Sequence, residues 1–450
     1  MLSKEELIAK AAKPSSEALR LHPFYRGKIQ SVPKCAIRDL DDFSIWYSPG
    51  VAAPCREIAK NPDLVYEYTN KGNTVAVVSD GTRVLGLGNI GPKAGLPVME
   101  GKALIFKYLG GVDAVPLTLK TESAEDIINT VRLIQPNYGG INLEDIAQPK
   151  CFKVLDTLRA DPDVEIPVFH DDQQGTATVL LAGLTNALKL TNRDIHNVRF
   201  ALVGMGAANV ATLRLLLARG VSMEQIIATD SKGILHRDRD DLERTREDYP
   251  DKWRLCLESN PEDRRGGIEE ALRGAHVCIA LAHPGPGVIM PEWVAGMERD
   301  SIIFPCSNPT PEIWPWDAIE AGARIVGTGR SDFANQLNNS LGFPAIFRGA
   351  LDVRARTITD EMCLAAADEI ARFGEEQGLA DDHIVPSMSD LEVYPREAAA
   401  VGLKAQEQGL AGLTMSREEL LESARSKIGA AQEMVAMMMR EGIIAPVPNE

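Results

Sequence analysis

Two acidic pairs, Glu144-Asp145 and Asp171-Asp172, each follow a short apolar run, Gly-Gly-Ile-Asn-Leu in the first case and Ile-Pro-Val-Phe-His in the second. Carboxylates gathered at strand ends repel one another unless a cation lies between them, and an oxygen-only donor set selects Mg²⁺ or Mn²⁺ over zinc. Adjacent residues of an extended segment point opposite ways, so within Asp171-Asp172 one carboxylate is expected to ligate while the other serves a neighbouring network. Taken singly, each pair reads equally well as a solvated turn, because aspartate is a common turn residue.

A second stretch suits a phosphate ligand. Arg199-Phe-Ala-Leu-Val-Gly204-Met205-Gly206-Ala207-Ala208-Asn209 leads from an apolar run into the helical pattern after Val210, which stops at Gly220. The free amides and dipole at such a helix start favour a pyrophosphate, and Asp230, ending the next apolar run, is placed to accept from the adenosine ribose hydroxyls. Asn209 stands where a third glycine is usual. A carboxylate at 230 repels a 2′-phosphate and favours NAD, whereas Ser231 and Lys232 beside it favour NADP; the preference stays open and leans to NAD. The other glycine pattern, Gly86-Leu-Gly88-Asn-Ile-Gly91, is followed by Pro92, Gly95 and Pro97, which are not expected to open a long helix, so it is set aside as a dinucleotide turn.

The elements needed to hold these groups can be read from the pattern of apolar runs. Strand-like segments at Thr74–Ser79, Ala114–Leu119, Gly139–Leu143 and Ile166–His170 alternate with helical ones at Gly101–Leu109 and Ala124–Ile134. From Val198 a cleaner doubly wound pattern begins, with strands expected at Arg199–Val203, Gln225–Thr229, His276–Leu281, Ser301–Phe304 and Arg324–Val326. The fold class is therefore α/β: a first α/β unit over 1–165, a Rossmann-like unit over 166–395 and a helical segment over 396–450 that ends in an amphipathic helix near Arg417–Glu441. The charged run from Leu235 to Gly267 reads as a solvated face. Met434, Met437, Met438 and Met439 read as packing or a dimer contact.

At 450 residues, 44% apolar and 25% charged, the chain exceeds what one hydrophobic core holds. A net charge of −16 disfavours nucleic acid and anionic lipid, and would disfavour an anionic substrate too unless a metal or local cations reverse the field. Seven cysteines without CxxC spacing read as reduced, buried thiols. The N-terminus, charged from its fourth residue, and the absence of a long apolar run place the chain in the cytoplasm, with no membrane partner expected.

Several segments together resemble the malic enzyme family. They are Tyr47-Ser-Pro-Gly-Val-Ala, Asp80-Gly-Thr-Arg-Val-Leu-Gly-Leu-Gly-Asn-Ile-Gly, Gly101-Lys102-Ala-Leu, Glu144-Asp145, His170-Asp171-Asp172-Gln-Gln-Gly-Thr176-Ala, Ser307-Asn308-Pro-Thr and Asn338-Asn339-Ser-Leu-Gly-Phe-Pro. They lie in order between Tyr47 and Pro344, within a resemblance that runs from about residue 20 to about residue 400. The resemblance implies a first, substrate- and metal-binding domain and a second, NAD(P)-binding one. It implies Glu144, Asp145 and Asp172 as ligands of Mg²⁺ or Mn²⁺, Lys102 as general base, Tyr47 as general acid and Asp171 as the carboxylate beside Lys102. It also places Arg83, Asn308 and Asn339 at the substrate, with Asn308 and Thr176 at the nicotinamide side. The implied activity is oxidative decarboxylation of malate to pyruvate and CO₂ with reduction of NAD or NADP, by a homodimer whose subunits both border the active site. The chain departs from the family pattern at Ala282-His283, where a small hydroxyl residue is expected, and at Asn209. A non-catalytic dinucleotide-binding protein and a decarboxylase of a related 2-hydroxy diacid are the competing readings.

Overall fold

The computed structural model describes residues 4–448; Met1–Ser3, the start of the charged N-terminal stretch, lie outside the described residues. Among the described residues ten strands form two sheets. The first contains β1 (Thr74–Ser79), β2 (Asp113–Thr118), β3 (Gly140–Leu143) and β4 (Val168–His170), all parallel, in the order β2-β1-β3-β4. The runs Val-Ala-Val-Val of β1 and Gly-Ile-Asn-Leu of β3 are fully buried, as a parallel sheet covered on both faces requires. Leu143 pairs with His170, so the chain leaves the sheet toward Glu144 and toward Asp171 at adjacent positions. That register brings the two distant acidic pairs together.

The second sheet comprises β5 (Phe200–Val203), β6 (Ile226–Asp230), β7 (Gly233–Ile234), β8 (Val277–Ala280), β9 (Ser301–Pro305) and β10 (Ala323–Val326). Its order is β10-β9-β8-β5-β6-β7, parallel except for the short hairpin strand β7. The chain goes from β5 to β6 on one side and then crosses to β8 on the other, so the switch point lies between β5 and β8. Open α/β sheets bind ligands in the crevice outside the strand ends at such a point.

The helix Gly91–Gly110 departs from expectation, because Pro92, Gly95 and Pro97 all lie inside it. Pro92 falls in the first turn, where no amide is required, so its ring costs nothing there. The loss at Pro97 is carried by the buried face of Met99, Ala103, Phe106 and Leu109, whose larger side chains contribute about 1.5–3 kcal/mol each. That face also fixes Lys102 on the buried side of the helix.

The C-terminal third returns to the first sheet. Helices Phe343–Asp352 and Arg417–Arg440 pack on Gly91–Gly110. Phe347 stands edge-on to Phe106 at 5.2 Å and to Phe169 at 5.6 Å. Arg348, 1% exposed, pairs with Asp352 at 2.7 Å and donates to Asn73 Oδ1, and Lys427 of the last helix meets Asp352 at 2.5 Å. A buried charge deprived of its partner is strongly destabilising, so this cluster fixes the relative placement of the three segments. No helix among the described residues is long and apolar enough to cross a membrane.

Two surface expectations are corrected. Cys35 and Cys55 are exposed, the other five cysteines are buried and all seven are free; the exposed two lie on the N-terminal segment, which packs little against the rest of the chain. The charged run 235–267 is not wholly solvated, since Leu235, Arg239, Leu242, Lys252 and Leu255 are buried. Charge density hid that inner face.

Candidate active site

At the C-terminal edge of the first sheet, Glu144, Asp145 and Asp172 each offer a carboxylate oxygen within 4.8 Å of the others. Glu144 and Asp145 follow β3 directly. Asp145 adopts a left-handed backbone (φ 54°), which turns the chain sharply there. Asp171 and Asp172 open a wide π-type turn, Asp171–Gly175, between β4 and the helix Thr176–Leu190. In this turn both aspartates reach one site. Asp171 Oδ2 takes the Lys102 ammonium at 2.5 Å, and Asp172 Oδ2 accepts from the Asp145 amide at 2.7 Å.

Lys102 is buried and also lies 3.1 Å from Glu144 Oε1, with its ammonium 4.3 Å from the Phe343 ring centroid. Burial alone would lower its pKa, but the charges of Asp171 and Glu144 outweigh burial and hold it above the ordinary lysine value. Burial, reinforced by the neighbouring carboxylates, pushes Asp145 up to about 9, Glu144 and Asp171 up to about 7, and Asp172 up to about 6. His170 is fully buried, 3.8 Å from Asp172; burial and then the Lys102 charge push it down to about 3, so it is neutral.

This donor set fits a hard divalent cation. The Asp145 Oδ2 atom is buried without a partner, and three mutually repelling carboxylates surround one point. Arg83 is exposed at the rim: its amide donates to the Asp145 carbonyl at 3.0 Å, and its charge favours the ionised form of Asp172.

The dinucleotide turn faces this site from the second sheet. Gly204 has φ +85°, and a Cβ there would meet the Ala282 backbone at 2.5 Å, so only glycine allows β5 and β8 to part so closely. Gly206 is the N-cap of the helix Ala207–Ala218 and no side chain caps it, which leaves the first-turn amides of Ala207, Ala208 and Asn209 for an anion. Met205 is buried. The Asn209 side chain turns away from the crevice, its Nδ2 donating to the carbonyls of Val203 (3.1 Å), Gly204 (3.0 Å) and Ile279 (3.3 Å). It braces the switch point where a glycine would simply allow close packing. Asp230 ends β6 as expected, but Arg239 holds both its oxygens.

Asn308 and Asn339 are half-buried at loops after β9 and β10. The Cβ of Asn339 would lie 3.5 Å from a Cβ at Gly175, beside Asp171, and Thr176 is half-buried at the next position. The set-aside motif has its own use: a Cβ at Gly86 would overlap the Pro284 ring and stand 2.5 Å from the Asn308 carbonyl. This loop of the first unit therefore touches two loops of the second across the crevice. Tyr47 is 72% exposed on the segment following the short helix Phe43–Trp46, and among the described residues no hydrogen bond or ion pair joins it to Lys102 or the carboxylates.

Sequence reasoning missed Arg239, Asp241 and Glu312. Buried Glu312 accepts from the Ala282 amide (2.9 Å), the Ser307 amide (3.1 Å) and the Ser307 hydroxyl (2.6 Å), tying together the loops after β8 and β9. A lone glutamate in a Pro-rich loop gives no periodic signal; its position five residues after Ser307 was the one available clue.

A nucleotide-binding sheet facing a buried ammonium set among carboxylates defines an oxidoreductase that uses NAD or NADP. The family descriptions "Malic enzyme, N-terminal domain" and "Malic enzyme, NAD binding domain" match residues 26–159 and 173–406. The chain is 47% identical to the bifunctional malic/malolactic enzyme of Bacillus subtilis, over 91% of this chain and 97% of that one. It is 42% identical to the NADP-dependent malic enzyme of Rhizobium meliloti, over 88% of this chain and 53% of that one. The crystal structure of Entamoeba histolytica malic enzyme superposes with a TM-score of 0.95 at 45% identity, covering 100% of this chain and 93% of that one. The chain belongs to the malic enzyme family.

Proposed function

We propose that this protein oxidises malate at C2 and decarboxylates the product to pyruvate and CO₂, reducing NAD or NADP, with Mg²⁺ or Mn²⁺ held by Glu144, Asp145 and Asp172. One observation carries the reading: the Lys102 ammonium lies 2.5 Å from Asp171 and 3.1 Å from Glu144, at the edge of a three-carboxylate cluster. When bound there, the cation supplies Lewis-acid polarisation of the C2 oxygen and offsets the carboxylate charges that keep Lys102 protonated. Lys102 then takes the C2 hydroxyl proton as hydride leaves for the nicotinamide, and Asp171 orients it. Arg83, Asn308 and Asn339 hold the substrate carboxylates, with Asn308 and Thr176 on the nicotinamide side. Gly204 to Asn209 and Asp230 hold the dinucleotide.

Tyr47 delivers the proton that C3 needs after CO₂ leaves. It lies on an apolar, solvent-facing segment with Leu40, Phe43, Ile45, Trp46 and Val51, all exposed. Monomeric proteins rarely leave so contiguous an apolar patch open. The reading therefore includes a homodimer in which a second subunit covers this segment, acting in the cytoplasm on a small-molecule substrate without nucleic acid or membrane.

The test is malate oxidation with Mn²⁺ or Mg²⁺ and each dinucleotide, following reduced cofactor, pyruvate and CO₂ together. Full activity in thoroughly chelated protein would refute the metal-dependent reading, and reduction without CO₂ release would refute decarboxylation. Sedimentation of wild type against Trp46→Glu checks the dimer.

A further inference from the structure

The end of β6 carries a charge network within the run that reads as solvated surface. Arg239, 6% exposed, donates to both oxygens of Asp230, at 3.0 and 2.8 Å, and to both oxygens of Asp241, at 2.8 and 3.0 Å. Lys232 places its ammonium 2.9 Å from Asp241 Oδ2, while its amide donates to Asp230 Oδ1 at 2.9 Å. Asp241 is thus the shared partner of two cations on either side of Asp230. Lys252 adds a positive charge behind them, but it is 8% exposed with its ammonium over the Tyr249 ring at 4.6 Å.

A carboxylate has room for about four acceptor contacts, and three at Asp230 are taken, which leaves it able to receive a ribose hydroxyl. A 2′-phosphate on that ribose carries about −1.5 to −2 charges and needs donors it can touch. Beside the Ser231 hydroxyl, Lys232 and Arg239 are the nearby cationic donors, and Asp241 already occupies both. We propose that Asp241 sets the cofactor preference toward NAD by denying Lys232 and Arg239 to the 2′-phosphate of NADP. This rests on the reading of Asp230 as the residue that faces the adenosine ribose.

The test is direct binding, by fluorescence titration of the full chain with NADH and with NADPH in the absence of malate. Wild type binds NADH the more tightly. Asp241→Asn tightens NADPH about tenfold and changes NADH little, and adding Lys232→Met to it removes most of the gain, since charge-assisted contacts to phosphate are the strong ones. Retained NADH binding reports an intact fold. Equal wild-type affinity for the two cofactors overturns the proposal. If Asp230→Asn binds NADH as tightly as wild type, the ribose assignment is wrong and the proposal falls with it. If Asp230→Asn weakens NADH but Asp241→Asn leaves NADPH unchanged, the assignment stands and the proposal alone is overturned.

Discussion

Lys102 Nζ and Asp171 Oδ2 stand 2.5 Å apart, both buried, one from the middle of a helix and the other from the turn after β4. Their contact depends on Gly175, where any Cβ would overlap the Asp171 carboxylate. Geometry, not local sequence, selects this lysine from the others of the chain.

Replacing Lys102 by Ala is expected to lower kcat by roughly 10²–10⁴, the usual range for a positioned acid–base group, with NADH binding retained. Single-turnover reduction together with nucleotide titration checks this. A variant within a few-fold of wild type would mean that another group takes the hydroxyl proton.

The carboxylate pKa values make stability depend on pH. Glu144, Asp145, Asp171 and Asp172 are all raised, chiefly by burial, so each favours the fold below its ordinary value and loses that contribution as pH rises through its raised one. Chelated protein should therefore lose melting temperature from about pH 4, the ordinary carboxylate range, up to about pH 9, where the most strongly raised group, Asp145, ionises. Added Mg²⁺ should restore more at the upper end, because its ligands must be deprotonated. Calorimetry with and without chelator reads both trends, and a metal increment that shrinks with rising pH would contradict the proposed ligand set.

Gly86→Ala puts a methyl group against Pro284 and the Asn308 carbonyl, an overpacking worth about 1–3 kcal/mol. Because it wedges the crevice, KM for malate and nucleotide should rise more than melting temperature falls. Gly101→Ala is the control: a Cβ there meets nothing within 4 Å and the site is helical, so it should be neutral or stabilise by about 0.4–1 kcal/mol.

Asn209→Gly brings the turn nearer to the usual glycine pattern yet removes a buried amide bonded to three carbonyls. A loss of about 1–3 kcal/mol in urea unfolding is expected, since a buried amide and its contacts are lost while the carbonyls of Val203 and Gly204 keep their backbone donors, Leu281 and Gly206. Unchanged or increased stability would show that the brace is dispensable.

Buried parallel strands announce themselves as short β-branched runs between turns, which is why β1, β3, β5 and β8 were legible to within a residue or two. The two-residue β7 has no period to read. The first ten residues of the helix Gly91–Gly110 were hidden by two prolines whose cost depends on position in the helix. At the site, residue types and order pointed to Glu144, Asp145, Asp171 and Asp172, because carboxylates at strand ends are informative in themselves. Arg239 and Asp241 were not legible: among many Arg and Asp residues, only the three-dimensional path shows which pair turns inward. Tyr47 is 72% exposed and, among the described residues, has no hydrogen bond to the carboxylates, so neither its type nor its neighbours in sequence fix where it stands relative to them.

The wide turn at Asp171–Gly175 is also the first of the covalent joints between the two halves, ahead of the return of the C-terminal helices to the first sheet. It begins at the last strand of the first sheet and runs straight into the helix Thr176–Leu190, which packs on the first helix of the nucleotide unit. Asp171 is the first residue of that turn, directly after the end of β4. The partner of the Lys102 ammonium thus lies on the same short stretch of chain that links the first sheet to the nucleotide unit.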